Sequence, residues 1–248
     1  MNKILFLLLS MTLGSLSSRV WSHSQVTVYL PNRDETVQIN DVGSLAQLVT
    51  HPVLMNNVWW PTAVIATRPA TEQALRDRQR VRQNLSAWEH KTDGELAATL
   101  RHINQQLQNL QVTGRQFVSL DPDVVRTQAT ANRRLAGEYR LYSSSRPDSV
   151  TLLGAVSRSG NVVWRPGTSV AEYLRDNNRL AGADLNHVVI ISPDGRTELA
   201  PVAYWNRRHV EAEPGSILWV GFADQILPSA FRELNQQIVS LLARRVPE

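Results

Sequence analysis

The stretch "VTLLGAVSRSGNVVWRPGTSVAEYL" (residues 150–174) carries much of the architectural information, because an earlier part of the chain is built the same way. "VTVYLPNRDETVQINDVGSLAQLV" (residues 26–49) also places two β-branched runs before a glycine and a short amphipathic run. Val26 matches Val150 and Gly43 matches Gly167 at the same spacing along the chain. Repetition of this kind predicts two structural units of one type.

Each unit reads as two strands, a helix, a hairpin and a final strand. In the second unit the corresponding runs are "VTLLGAV", "NVVW", "SVAEYLRD", "HVVIISPDGRTELA" and "SILWVGF". Alternating β-branched residues and a Pro-Asp-Gly turn are typical of such strands. In the first unit "FVSLDPD" (residues 117–123) matches "VIISPDG", so Asp121-Pro122-Asp123 is predicted as a hairpin turn. Strands that flank one helix predict an α+β unit whose sheet has the helix on one face.

The first unit is longer than the second by a pair of helical patterns. "TEQALRDRQRVRQNLSAWEHK" starts at Thr71, and "ELAATLRHINQQLQNL" starts at Glu95 after a Thr-Asp-Gly break. This predicts a helical hairpin at about 70–111, inserted between the helix and the hairpin of the first unit. Because such a hairpin cannot bury its leucine stripe alone, we expect it to pack on the second unit and to fix the angle between the units.

The last segment, from Pro228 onward, predicts an amphipathic C-terminal helix. Its apolar positions form one stripe: Phe231, Leu234, Ile238, Leu241 and Leu242. A single narrow stripe is typical of a helix that docks on its own protein. We therefore expect it to lie against the second unit or the hairpin of a monomer, and not in a membrane pore.

The N-terminus predicts export from the cytoplasm. Met1-Asn2-Lys3 precedes the apolar run "ILFLLLSMTLG", which is too short to span a bilayer, and Val20 and Ser22 suit a cleavage site. Residues 1–22 are therefore predicted to be a signal peptide. The chain has no cysteine, so disulfides and thiolate metal sites are excluded. These features together favour a bacterial periplasm, with no membrane span in the mature chain.

Charge and motifs argue against several classes of function. The formal net charge of +4 includes Lys3 and Arg19 of the predicted signal peptide, and the remaining basic residues are scattered, which disfavours nucleic acid as a partner. Zinc-binding histidine pairs, phosphate loops, dinucleotide fingerprints and Gly-x-Ser-x-Gly are absent. We therefore predict no catalytic residues, no metal and no cofactor. Enzymatic activity stays an open alternative, since catalytic residues often converge from distant segments.

The second unit resembles the soluble-ligand-binding β-grasp (SLBB) domains of bacterial polysaccharide export proteins, through "GAV", "RPGTSVAEYL", "AGA" and "PGSILWV". Ser216 departs from this pattern, because an acid is usual there. Over essentially its full length, the chain is similar to the GfcC family of capsule-biosynthesis proteins. The resemblance implies tandem β-grasp (ubiquitin-like) domains in an α+β fold, periplasmic location, group 4 capsule or other polysaccharide export in a Gram-negative bacterium, and no enzymatic activity.

The expected division is 1–22 signal peptide, 23–145 first β-grasp domain with the insert, 146–225 second β-grasp domain and 226–248 C-terminal helix. The expected function is non-catalytic assembly or export of capsular or extracellular polysaccharide, with the polymer or an outer-membrane export protein as partner. The alternative is a periplasmic carbohydrate-active enzyme that acts on the same polysaccharide. We expect a monomer without cofactor in either case.

Candidate binding residues come from two sources. Arg115 follows Gly114 where the chain leaves the insert and enters the predicted strand "QFVSL", and the family resemblance implies that it lines a central pocket. Trp164 with Arg165 is a candidate sugar-stacking pair, although an edge-strand tryptophan that helps the core is the alternative. Further aromatic and basic groups suit a saccharide surface, unless they are core wedges: Trp59, Trp60, Tyr204, Trp205, Arg207 and Arg208.

Overall fold

A computed structural model describes residues 24–31, 36–55 and 57–247. The predicted signal peptide at 1–22 lies outside the described residues. Two sheets and several helices form two successive α+β units. No helix in the described ranges is both long enough and apolar enough to cross a membrane.

The first unit contains a mixed four-stranded sheet and two short helices. Its elements are β1 (Gln25–Tyr29), β2 (Val37–Asn40), α1 (Leu45–Val49), β3 (Val64–Thr67), α4 (Pro122–Thr127) and β4 (Glu138–Tyr142). The strand order is β2-β1-β4-β3. The central strands, β1 and β4, are parallel, and the two outer pairings are antiparallel.

The second unit repeats this plan with one more strand, in the order β6-β5-β9-β7-β8. Its first and last strands, β5 and β9, are again parallel. Its elements are β5 (Ser149–Gly154), β6 (Gly160–Val163), α5 (Val170–Tyr173), β7 (His187–Ile191), β8 (Thr197–Pro201) and β9 (Ile217–Val220). The α+β class with tandem units is therefore confirmed, while the assignment of each unit to the β-grasp fold stays a prediction.

The start of α5 explains the repeated turn-and-helix motif. Gly167 has a φ of 72°, a left-handed conformation that glycine adopts without penalty. The Glu172 carboxylate accepts hydrogen bonds from the backbone N–H and the hydroxyl of Ser169, at 2.8 and 2.7 Å. These bonds satisfy a backbone donor at the helix start and lower the pKa of Glu172. The motif is thus a turn followed by a helix cap, which together start a short helix over the sheet.

The position of the insert differs from the prediction. Helices α2 (Arg68–Glu89) and α3 (Gly94–Asn109) follow β3, a strand that the sequence pattern did not reveal. After α3 the chain returns beside β3, where the Gln116 N–H donates to the Ile65 carbonyl at 2.8 Å. The predicted place for the insert, ahead of the hairpin, was wrong: the insert occupies the turn of that hairpin. The run "VIAT" is too short to give a clear strand signal beside Trp60-Pro61.

The predicted hairpin turn at Asp121-Pro122-Asp123 was also wrong, because these residues begin α4. The Asp121 carboxylate accepts hydrogen bonds from the backbone N–H groups of Asp123 and Val124 at 2.8 and 3.3 Å. Asp followed by Pro suits a helix start as well as a turn, since proline lacks an N–H that a helix start leaves unpaired. The segment "QFVSL" contains no strand in the structure.

The hairpin of α2 and α3 shares a hydrophobic core with the second unit. Leu85, Leu100 and Ile103 are fully buried in a cluster that also contains residues of β5, β7 and β9. The Trp88 ring contacts Phe222 edge-on at 4.9 Å and Phe231 at 6.0 Å between ring centroids. The hairpin therefore belongs to the first unit by sequence and to the second unit by packing.

The C-terminal helix is shorter than the sequence indicates. A single 3-10 turn at Ser229–Phe231 comes first, and the α-helix α6 spans only Leu234–Leu242. Its buried residues face α2 and β7: Leu234, Ile238, Leu241 and Leu242. The side-chain amide of Asn235 accepts from the Phe222 N–H at 3.0 Å and donates to the Phe222 carbonyl at 2.7 Å. The apolar stripe of α6 is thus covered by the protein itself.

A second side-chain amide, that of Gln106, joins the hairpin to the sheet. The side chain of Gln106 accepts from the Gly154 N–H at 2.8 Å and donates to the Gly154 carbonyl at 3.1 Å. It satisfies both backbone groups at the end of β5. Gly154 has a φ of 99°, and a Cβ there would lie 2.1 Å from the carbonyl oxygen of Val220.

We predict that Gly154→Ala lowers the free energy of unfolding by about 3 kcal/mol, because it combines backbone strain with a clash against β9. Thermal unfolding should show a fall of roughly 10 °C in Tm for a protein of this size. Gly167→Ala is the matched control, because it has positive φ but open space around the added Cβ, and should cost about 1 kcal/mol. Equal losses for the two variants would contradict the clash.

We also predict that Gln106→Ala lowers the free energy of unfolding by about 1–2 kcal/mol, because the Gly154 N–H loses its partner and the Gly154 carbonyl keeps only the hydrogen bond from the Val156 N–H at 2.9 Å. Gln105 is the adjacent, exposed glutamine of α3. Gln105→Ala should change stability by less than about 0.5 kcal/mol. Urea unfolding of the two variants measures the difference in their free energies of unfolding. Similar midpoints would show that the hydrogen bonds between Gln106 and Gly154 do not stabilise the protein.

Candidate functional site

The described residues enclose a cleft of about 740 Å³ where the two units, the hairpin and the C-terminal segment meet. This volume is in the range of small-molecule sites, about 300–1,000 Å³. Polar and apolar groups contribute about equally to its wall, and the polar ones include Asn109, Gln111, Arg146, Thr151, Ser159 and Asn161. Seven separate parts of the chain therefore contribute to one cavity.

The walls of the cleft follow from the packing around it. On one side lies the linker between the units, which is anchored by a 2.9 Å hydrogen bond between the Ser144 and Thr62 hydroxyls. The edge strand β6 and the residue before it form a second wall. The C-terminal segment pairs with the chain that leaves α3, since the Val246 N–H donates to the Gln111 carbonyl at 2.9 Å. Each wall is held by hydrogen bonds.

Arg115 lies in the cleft wall with only 6 % of its surface exposed. Its guanidinium donates to the carbonyl of Pro193 at 2.6 Å and to the carbonyl of Ala243 at 3.0 Å. Burial lowers the pKa of Arg115 to about 10, against the opposing effect of the Asp194 charge. The side chain stays protonated at neutral pH and links the first unit to the β7–β8 turn and to the end of α6.

Arg245 makes a similar contact from the C-terminal segment. Its guanidinium donates to the carbonyl of Gly215 at 2.6 Å and to the carbonyl of Leu242 at 3.3 Å. Ser216, where the resembled domains usually have an acid, is fully buried just beyond. Two arginines of the cleft wall thus bind main-chain carbonyls and shape the cavity.

The other predicted binding residues do not line this cleft. Trp164 is partly buried on the second unit, and its indole N–H donates to the Ala212 carbonyl at 2.8 Å. Arg165 bonds to the Tyr173 hydroxyl through its backbone, while its side chain is exposed. Trp205 is 74 % exposed in a turn after β8, and Arg207 is exposed in the same loop. The structure does not bring these four residues to Arg115, and their roles stay predictions.

Sequence reasoning missed most of the cleft. Arg146 and Asp148 belong to the stretch "SSSRPDS", which reads as a simple linker. Asn161 lies on an edge strand and accepts a 2.8 Å hydrogen bond from the Thr151 hydroxyl across β5 and β6. An arginine inside a serine- and proline-rich linker is the one local signal that points to this wall.

We predict that Arg115→Ala lowers the free energy of unfolding by about 2–4 kcal/mol, because two carbonyls and a packed side chain lose their contacts. Arg115→Lys should recover part of the loss, since an ammonium group keeps the charge but lacks the planar fork. Chemical denaturation of the three proteins tests this. Unchanged stability in Arg115→Ala would leave only a ligand-binding role.

Comparison with known proteins gives the family. Residues 22–146 match the family "Capsule biosynthesis GfcC, N-terminal", and residues 158–247 match "Capsule biosynthesis GfcC C-terminal". The chain is also 41 % identical over 232 residues to "Uncharacterized protein YjbG" of Escherichia coli (strain K12), with 94 % of each chain covered. The resemblance read from the motifs is confirmed, and the chain belongs to the GfcC family of capsule-biosynthesis proteins.

Proposed function

We propose that this protein is a non-catalytic periplasmic component of capsular or extracellular polysaccharide assembly or export, and that it binds a segment of the polymer in the cleft between its units. Family membership supports a role in capsule biosynthesis. The observation that carries the binding proposal is the polar cleft itself, with its hydroxyl, amide and guanidinium groups.

The chemistry of the cleft wall suits a saccharide. Sugar hydroxyls both donate and accept hydrogen bonds, and amide and hydroxyl side chains do the same. Asn109, Ser145 and Ser159 are exposed, so their polar groups are accessible to a ligand. The hydrogen-bonded walls supply a preformed site, which reduces the entropy lost on binding.

The arrangement of carboxylates favours binding over hydrolysis. Most glycosidases hold two carboxylates across the scissile bond. Asp148 is the one carboxylate among the described residues that line the cleft. The alternative, a periplasmic carbohydrate-active enzyme on the same polysaccharide, predicts shortened chains when purified protein is incubated with polymer. Size-exclusion chromatography of the polymer separates the two functions.

Location and assembly belong to the same proposal. The basic and apolar start of the sequence supports export to the periplasm. The apolar stripe of α6 is buried against α2 and β7, which supports a monomer instead of a ring of membrane helices. We propose a division of the chain into residues 23–145, 146–225 and 226–248, in which the last segment packs on the second unit. The partner is the polymer itself or an outer-membrane export protein.

Gene deletion, fractionation and polymer binding test the proposal together. Deletion should reduce or alter surface polysaccharide. The mature protein should be recovered from the periplasmic fraction and behave as a monomer in light scattering. Purified protein should bind the surface polysaccharide of the producing strain without shortening it. Normal polysaccharide after deletion would contradict the proposed pathway.

We predict that Ser159→Trp abolishes polymer binding, because a bulky side chain at this exposed position fills the mouth of the cleft. Thr197→Trp is the matched control, because Thr197 is exposed on β8, at the opposite edge of the same sheet. Both variants should keep wild-type stability, since exposed substitutions usually change it by less than about 0.5 kcal/mol. Full binding by Ser159→Trp would place the ligand elsewhere.

A further inference from the structure

A second, smaller cavity of about 380 Å³ adjoins the cleft on the side of the first unit. The two cavities share the linker residues Ser144, Ser145 and Arg146 as part of their walls. The far wall of the second cavity comes from the end of β1 and from the segment around Trp59. A ligand that leaves the cleft across the linker therefore enters this second cavity.

The Arg146 guanidinium lies over the Trp59 ring, 5.3 Å from its centroid. This cation–π contact positions the cation at the boundary between the two cavities. Arg146 is exposed, and within the described part of the chain it has no carboxylate partner within 4 Å. Trp59 keeps 39 % of its surface exposed. A guanidinium held in this way presents a planar set of donors that matches a carboxylate.

The remaining wall residues suit a sugar ring. Leu30, Pro31 and Val58 give the cavity an apolar side against which the C–H face of a pyranose packs. Asn57 and Ser145 are exposed and add polar groups to the wall, and the Asn57 side-chain N–H2 group already donates to the Val53 carbonyl at 2.9 Å, which leaves the amide oxygen as an acceptor. Arg146 is the one charged residue among the described residues of this wall. The combination of apolar face, hydroxyl partners and one cation corresponds to an acidic sugar.

We propose that the cavity formed by Trp59 and Arg146 is a second subsite, and that it binds an acidic, carboxylate-bearing sugar residue of the polysaccharide whose neighbouring residues occupy the cleft. The inference rests on the proposed function of the cleft. Because the ligand crosses the linker, affinity increases with the length of the oligosaccharide until both cavities are filled.

Calorimetric titration with oligosaccharides of graded length tests this subsite. The probes are prepared by partial hydrolysis of the surface polysaccharide of the producing strain, together with a carboxyl-reduced set. Wild-type protein should bind long acidic oligosaccharides more tightly than short ones. Arg146→Ala should reduce affinity for the long ones about tenfold, as expected for the loss of one charge-assisted contact. Short oligosaccharides that fill only the cleft should lose less affinity than the long ones in this variant, because Arg146 is one of several polar residues of the cleft wall but the one cation among the described residues of the second cavity.

Two further variants separate the subsite from general effects of charge. Arg126→Ala removes an exposed arginine of α4 in the same unit, outside both cavities, and should leave every affinity unchanged. Trp59→Ala should mimic Arg146→Ala by releasing the guanidinium. If Trp59→Ala loses thermal stability, the test uses Arg146→Ala and Arg146→Lys instead. Arg146 is exposed, so its substitution should change stability little.

The outcomes distinguish this inference from the proposed function. If wild-type protein binds none of the oligosaccharides, the proposed function of the cleft fails. If short oligosaccharides bind but longer ones gain nothing, the second subsite is wrong while the cleft stands. If the carboxyl-reduced oligosaccharides show the same increase in affinity with length, the assignment to an acidic sugar is wrong. The assignment is also wrong if the surface polysaccharide contains no acidic residues.

Discussion

Burial of the α2–α3 hairpin against the second sheet is the constraint on which the rest of the structure depends. The hairpin grows out of the first unit, yet its apolar residues lie in one core with β5, β7, β9 and α6. The two units therefore cannot separate without exposing fully buried side chains such as Leu85, Leu100 and Ile103. At about 25 cal/mol per Å² of apolar surface, such exposure is far more costly than bending a linker. The angle between the units, and hence the cleft, is fixed by this core.

Side chains that bond to main-chain atoms add precision to this packing. Gln106 and Asn235 each satisfy both the N–H and the carbonyl of one residue, while Arg115 and Arg245 each bind two carbonyls. The net gain from one such bond is only about 1 kcal/mol, but a buried group left without its partner costs more. The Arg115 and Gln106 contacts reach from the first unit and its insert to the second unit, so they favour one relative position of the two units.

This geometry gives a protein of a capsule-biosynthesis family a preformed cavity with polar and apolar groups in its wall. For the polymer binding that we propose, hydrogen-bonded walls reduce the entropy that the protein itself loses. The linker between the units is the shared wall of two cavities and carries Arg146 over Trp59. The structure thus combines a core, made by the hairpin and the second sheet, with a proposed binding surface made by the segments that this core brings together.

The sequence predicted those features that are encoded in contiguous residues. The repeat, the helical hairpin and the apolar stripe of the tail each depend on local periodicity, and the short motifs identified the family. The sequence did not reveal β3, whose four residues give too little alternation. It also misread Asp121-Pro122-Asp123, whose composition suits both a turn and the start of α4. Of the predicted binding residues, Arg115 alone lines the cleft, and that prediction came from resemblance to a family.

The cleft could not be predicted because seven separate parts of the chain form it. Arg146 in the linker, Asn161 on β6 and Val246 at the C-terminal end have no periodic relation in sequence, and only docking of the hairpin brings them together. A local pattern reports which face of a helix or strand is apolar, whereas a cavity depends on the relative positions of several such elements. Local patterns in the sequence therefore determine the fold class, whereas the cleft depends on long-range packing of the hairpin on the second sheet.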